Sequence, residues 1–122
     1  MNLNNIKIAI VGLGYVGLPL AVAFSEKYQV LGFDINEKRV SDLNNGLDRT
    51  LEIHENDLLN ALKCNKNNQV GLRISSNNLE LANYNIFIVT VPTPTDKNNN
   101  PDLTPLNKAT ENISKFLKKM TL

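Results

Sequence analysis

Apolar and polar positions along the chain switch between two periods. Ile6, Ile8, Ala9, Ile10 and Val11 form a short, largely β-branched run that ends in glycines, which predicts a buried strand. Over residues 15–27 the apolar positions take helical spacing, with Leu20, Ala21 and Phe24 followed by polar Ser25, Glu26 and Lys27. Pro19 lies early in that segment, and a place past the first turn would cost the helix a backbone bond. The run QVLGFD over 29–34 predicts a second strand. Asn36 then reads as an N-cap, with Val40 and Leu43 on one helical face and Gly46 as the stop. A polar loop leads to a helix near 54–63, whose apolar face is Leu58, Leu59 and Leu62. GLRIS over 71–75 alternates as a third strand. IFIVTV over 86–91 is apolar on both faces, which predicts a central, parallel fourth strand ended by Pro92. Thr104 and Pro105 read as N-cap and first-turn pair of a last helix, with Leu106, Ala109, Ile113, Phe116 and Leu117 inward. Lys115, Lys118 and Lys119 near its C-terminal end complement the helix dipole.

This alternation of strands and helices predicts the α/β class and a doubly wound parallel sheet of Rossmann type. The pattern stops at a helix where another strand is due. The expectation is therefore one domain over 1–122, the N-terminal half of such a fold and a fragment of a longer protein. In the usual order 3-2-1-4 the outer edge of the fourth strand is left open. An apolar edge invites pairing, so self-association through that edge or through the last helix is expected.

Composition narrows the function classes. Thirteen Lys and Arg against twelve Asp and Glu leave a net charge of +1, which gives no electrostatic case for a nucleic-acid or membrane-surface partner. No apolar run approaches the length of a membrane-spanning helix. The start, MNLNN, lacks the basic end of a signal peptide. A single Cys excludes an internal disulfide framework and suits a reducing cytoplasm. The many Asn are scattered or in short loop clusters and do not form a low-complexity tract.

Candidate chemistry begins at Gly12-Leu13-Gly14-Tyr15-Val16-Gly17, a G-x-G-x-x-G run directly after a predicted strand and opening a predicted helix. Gly12 allows the tight turn, Gly14 leaves room for a pyrophosphate, and Gly17 lets the helix pack close to the strand. Free amides at the helix start, those of Tyr15 and Val16 among them, would face the anion. Asp34 closes the second strand at the spacing of a ribose-binding carboxylate. It would accept from the adenosine 2′-hydroxyl and repel a 2′-phosphate, favouring NAD over NADP. Arg39 is open to three readings: a contact on the adenosine side, a partner for NADP, or a solvated helix arginine.

Three stretches together carry a resemblance: KIAIVGLGYVGLPLA from Lys7, GFDINEKRV from Gly32 and FIVTVPTPT from Phe87. The chain resembles, over essentially its whole length, the N-terminal cofactor domain of the UDP-glucose/GDP-mannose dehydrogenase family. The Val91-Pro92-Thr93-Pro94 segment is the most telling part. The resemblance implies a cytoplasmic nucleotide-sugar dehydrogenase that oxidises the sugar C6 alcohol to a carboxylate. It does so in two NAD-linked steps, through a thiohemiacetal on a catalytic Cys, for surface polysaccharide such as capsule. It assigns Tyr15 and Val16 to the pyrophosphate, Asp34 to the adenine ribose, Arg39 to a neighbouring basic contact and Thr93 to a hydrogen bond with the cofactor. It also implies that the catalytic Cys and the UDP-sugar site lie beyond Leu122, so that the chain alone is inactive and binds NAD weakly.

Cys64 lies at a helix end, the wrong region for that nucleophile, and reads as a plain thiol. His54 has no second ligand nearby, so no metal site is expected. The loop GLDRTLE over 46–52 resembles that of the UDP-N-acetylhexosamine branch, and a solvated loop is the simple alternative. Two other functions stay open. One is a 3-hydroxyacid or 6-phosphogluconate type dehydrogenase, which the Thr93 loop and the long stretch between Asp34 and Ile86 oppose. The other is a nucleotide-sensing regulatory module of the gating type, which uses the same turn and carboxylate without chemistry.

Overall fold

Along the first strand, Ile8 and Ile10 enter one apolar cluster while Ala9 and Val11 enter another, so the two-residue period of the strand builds a core on each face of the sheet. The computed structural model describes residues 6–64, 70–91, 98 and 100–114. Its elements follow in the order β1 (Lys7–Val11), α1 (Gly17–Ser25), β2 (Gln29–Phe33), α2 (Glu37–Asn44), α3 (Glu55–Cys64), β3 (Gly71–Ser75), a 3-10 helix (Asn78–Asn83), β4 (Ile86–Val89) and α4 (Thr104–Ser114). The sheet runs β3-β2-β1-β4 with every pair parallel. This is the expected doubly wound arrangement. One core takes Leu18 and Ala21 from α1, Val40 and Leu43 from α2 and Leu58 from α3. The other takes Leu81 from the 3-10 helix and Ala109 and Ile113 from α4.

Local signals set several boundaries. The Asn36 side chain accepts from the Arg39 amide at 3.1 Å and caps α2 as expected. At the far end Gly46 takes a φ of 85°, its amide reaches the Leu43 carbonyl at 3.0 Å, and the Leu47 amide reaches Asp42 at 2.8 Å. These two bonds form a Schellman motif that satisfies carbonyls the helix leaves open. Pro19 is the third residue of α1, and the Leu18 and Leu20 amides on either side of it bond the Gly14 and Val16 carbonyls at 3.2 Å, so its missing N–H costs the helix one bond between them.

Two expectations change, and one element is new. β4 ends at Val89 and not at Val91, and it is not central: among the described strands it is the edge that the order 3-2-1-4 leaves open, paired with β1 alone and half-buried throughout. Its apolar faces record cover from above and below by helices, not a place between two strands. The last helix starts one residue earlier than a Thr104 cap requires: Asp102 accepts from the Thr104 amide at 2.9 Å, so the carboxylate two residues back does the capping. The 3-10 helix has no counterpart in the sequence pattern. Asn77 caps it by accepting from the Leu79 amide at 3.0 Å, and it buries only Leu81. Residues Lys115, Phe116, Leu117, Lys118 and Lys119, expected along the last helix, lie outside the described residues.

A Cβ at Gly46 would stand 3.1 Å from Leu59 side-chain atoms, on top of its left-handed φ. Gly46→Ala is expected to destabilise the fold by about 1–2 kcal/mol. In urea unfolding this reads as a lower midpoint with an unchanged slope.

Candidate functional site

The strand order places β2 on one side of β1 and β4 on the other, so the chain path reverses at β1. In open α/β sheets ligands bind in the crevice this opens beyond the carboxyl ends of the strands. The residues that leave β1 there are the glycine run.

Each glycine has its own reason. Gly12 takes a φ of 101°, and its amide is held by the Phe33 carbonyl at 2.8 Å. A Cβ at Gly17 would lie 1.8 Å from the Gly12 carbonyl oxygen and 2.4 Å from the Thr90 Oγ1, so α1 packs against β1 only because residue 17 has no side chain. Nothing stands within 4 Å of a Cβ built on Gly14. The outer glycines are therefore packing positions, and the middle one faces open space. The first bond of α1 runs from the Leu18 amide to the Gly14 carbonyl at 3.2 Å, and no side chain caps the helix start. The amides of Tyr15, Val16 and Gly17 precede that bond and have no helical partner. Tyr15 and Val16 leave their side chains exposed at 69% and 66%.

Between Gly12 and Gly14, both ends of Leu13 are held. Its amide donates to Asp34 Oδ2 at 2.9 Å, and its carbonyl accepts from Arg39 Nε at 2.8 Å. Asp34 Oδ1 accepts from the Asn36 amide at 2.9 Å, which ties the end of β2 to the start of α2. Each carboxylate oxygen thus takes one donor and keeps acceptor capacity for another. From the β4 side the Thr90 hydroxyl donates to the Gly12 carbonyl at 2.7 Å. Thr90 is a support the sequence pattern showed only as part of a strand.

Arg39 is not the solvated arginine of one reading, because its side chain is 13% exposed. Its Nη1 meets Asp48 Oδ1 at 2.9 Å, while its buried Nη2 has no partner. Asp48 has a fully buried side chain and accepts also from the Thr50 hydroxyl and from the amides of Thr50, Glu52 and Ile53. These bonds hold a loop in which Leu51 takes a φ of 59°, unusual for a residue with a side chain, and is exposed. The loop over 46–52 is therefore organised around a buried carboxylate, and the solvated-loop alternative fails for Asp48. Burial opposes ionisation of Asp48, but the Thr50 hydroxyl, the Arg39 guanidinium and the loop amides outweigh it and lower its pKa from 3.8 to about 2.

A groove of about 460 Å³ opens over the turn, lined by Gly12, Gly14, Asp34, Ile35 and Arg39, with Pro105, Lys108 and Ala109 of α4 opposite. The residues present fit a dinucleotide: open space at Gly14 under unpartnered amides for a pyrophosphate, and spare carboxylate capacity at Asp34 for a ribose. Gly12, Gly14, Asp34 and Arg39 thus come together in the groove, Gly17 lies beneath it, and Tyr15 and Val16 follow at the start of α1. Thr93 lies outside the described residues. His54 is exposed just before α3 and does not line the groove, and Cys64 is the last residue of α3. Among the described residues no group of three or more His, Cys, Asp or Glu is placed to hold a metal.

Residues 6–122 match the family model for the NAD binding domain of the UDP-glucose/GDP-mannose dehydrogenase family. The chain is 50% identical over 117 residues to UDP-N-acetyl-D-glucosamine 6-dehydrogenase of Pseudomonas aeruginosa, a match covering 96% of this chain and 26% of that protein. It is 48% identical to Protein CapL of Staphylococcus aureus, covering 93% of this chain and 24% of that one. Among solved structures, a UDP-D-ManNAc dehydrogenase from Pyrococcus horikoshii superposes with a TM-score of 0.82 at 31% identity, covering 92% of this chain and 26% of that chain. The chain spans about a quarter of the length of these relatives.

The lowered pKa of Asp48 fixes the sign of an acid effect. Its contribution to stability is complete above about pH 4 and is lost as the pH falls through its folded value of about 2, amounting to about 2 kcal/mol. Urea midpoints measured from about pH 5 down to about pH 2 are expected to fall over that window, and to fall less in Asp48→Asn.

Proposed function

The chain belongs to the UDP-glucose/GDP-mannose dehydrogenase family, and from that membership we propose that it serves as the cofactor half of a cytoplasmic UDP-N-acetylhexosamine 6-dehydrogenase acting in surface polysaccharide synthesis. NAD is the cofactor of this domain. Supporting the substrate is the 50% identity to UDP-N-acetyl-D-glucosamine 6-dehydrogenase. Among the described residues no helix is long and apolar enough to cross a membrane.

NAD, once bound, supplies the acceptor for the hydride that leaves C6 of the sugar. The chain's own residues bind and orient. The amides of Tyr15 and Val16 at the start of α1 bind the pyrophosphate, and Gly14 gives it room to approach the backbone. Asp34 takes the adenosine ribose hydroxyls on the acceptor positions that Leu13 and Asn36 leave open. Its negative charge disfavours a 2′-phosphate at the same place. Arg39 holds the turn from behind through the Leu13 carbonyl and borders the ribose end of the groove. Thr93, after β4, contributes a cofactor hydrogen bond in this reading. In this reading the nucleophile for oxidation of the sugar is not one of the groove residues named here.

Two measurements test this. By calorimetry the chain is expected to bind NAD more tightly than NADP, and Asp34→Asn to weaken NAD about tenfold. Tighter binding of NADP would refute the role given to Asp34. In the longer protein that carries this domain, UDP-N-acetyl-D-glucosamine is expected to drive NAD reduction, read as absorbance of NADH at about 340 nm, in proportion to sugar consumed. Turnover of UDP-glucose alone would overturn the substrate assignment.

A further inference from the structure

Asp34 and Arg39 hold opposite ends of one residue, Asp34 at the Leu13 amide and Arg39 at the Leu13 carbonyl, and both line the groove. A guanidinium this close to the carboxylate at the end of β2 is the group that would receive a 2′-phosphate. Here it is committed elsewhere. Nε is spent on the Leu13 carbonyl and Nη1 on Asp48, and Nη2 is buried without a partner. The anchor is stiff: Asp48 is fully buried and takes five hydrogen bonds, four of them from Thr50, Glu52 and Ile53 in its own loop. A guanidinium that loses such a counter-charge is left with an uncompensated buried charge, which drives it toward solvent or toward another anion. The groove is the opening Arg39 already borders.

We propose that Asp48 is a specificity-determining positioning residue. By pinning Arg39 behind Leu13 it withholds from the groove the cation that a 2′-phosphate needs. Preference for NAD over NADP is then set by Asp48 together with Asp34, although Asp48 touches neither dinucleotide. This rests on the reading of Asp34 as the ribose acceptor.

The test is calorimetric titration of NAD and NADP into the whole chain and its variants, with circular dichroism to establish folding. Asp48→Asn is expected to shift the NAD-to-NADP affinity ratio about tenfold toward NADP, chiefly through tighter NADP binding. Arg39→Met added to Asp48→Asn is expected to return the ratio to its starting value. A folded Asp48→Asn with the parent ratio overturns the proposal, as does a shift that survives removal of Arg39. Should Asp48→Asn fail to fold, Arg39→Met alone decides. It is expected to weaken both dinucleotides alike, because the Leu13 carbonyl loses its donor, and to leave their ratio within about twofold. A tenfold loss confined to NADP would mean that Arg39 already meets the phosphate, and would overturn the proposal. Asp34→Asn in the same series separates the two failures. Unchanged NAD affinity there removes the ribose reading itself, whereas a weakened Asp34→Asn beside an inert Asp48→Asn removes Asp48 alone.

Discussion

The placement of one peptide segment governs the rest of the site. Leu13 leaves β1 with its amide on Asp34 and its carbonyl on Arg39, while its side chain is buried against Gly32 of β2. With both backbone groups satisfied and the side chain sunk into the core, the turn has no freedom to reorient. Gly14 and the unpartnered amides that follow are therefore presented in one conformation before any ligand arrives. Preorganisation of this kind lowers the ordering cost that binding would otherwise carry. The residues that supply it come from β2, from α2 and, through Thr90, from the end of β4.

Asp48 shows how an irregular loop can be as determined as a helix. A buried ion pair repays its desolvation only when the geometry is good and the remaining lone pairs are satisfied. The Asp48 carboxylate meets that condition, with an arginine, a hydroxyl and three amides around it. Its partner does not, since Arg39 Nη2 is left without an acceptor. The loop also keeps Leu51 in a left-handed conformation, which costs on the order of 1 kcal/mol and persists because bonds on both sides of it are fixed. The pair thus joins a well-satisfied half to an under-satisfied one.

What could be read in advance follows from where the information lies. β1, β2 and β3 and the two ends of α2 were legible because short apolar runs, an N-cap Asn and a stop Gly act within a few residues. The glycine run and Asp34 were legible because their spacing encodes a turn and a strand length. Asp48 was not: its partners are Arg39, nine residues back, and three amides in a loop without a period. Arg39 stayed open among three readings for the same reason, since its position on α2 is local but its partners are not. At the last helix, Asp102 and Thr104 are both capping residues, and only the geometry distinguishes them.

The parallel sheet also orders events in time. β1 pairs with β4 in the register Ile8 with Ile86, so the two partners are 86 − 8 = 78 residues apart in the chain. At a synthesis rate of roughly 5–20 residues per second, β1 leaves the ribosome about 4–16 s before the strand that completes its second edge. During that interval the pairing of β1 with β2 can form, but Thr90 is not yet present to meet the Gly12 carbonyl. The glycine turn is thus written among the first residues of the chain and finished among its later ones, and a nascent chain passes through a stage with one apolar edge of its first strand uncovered.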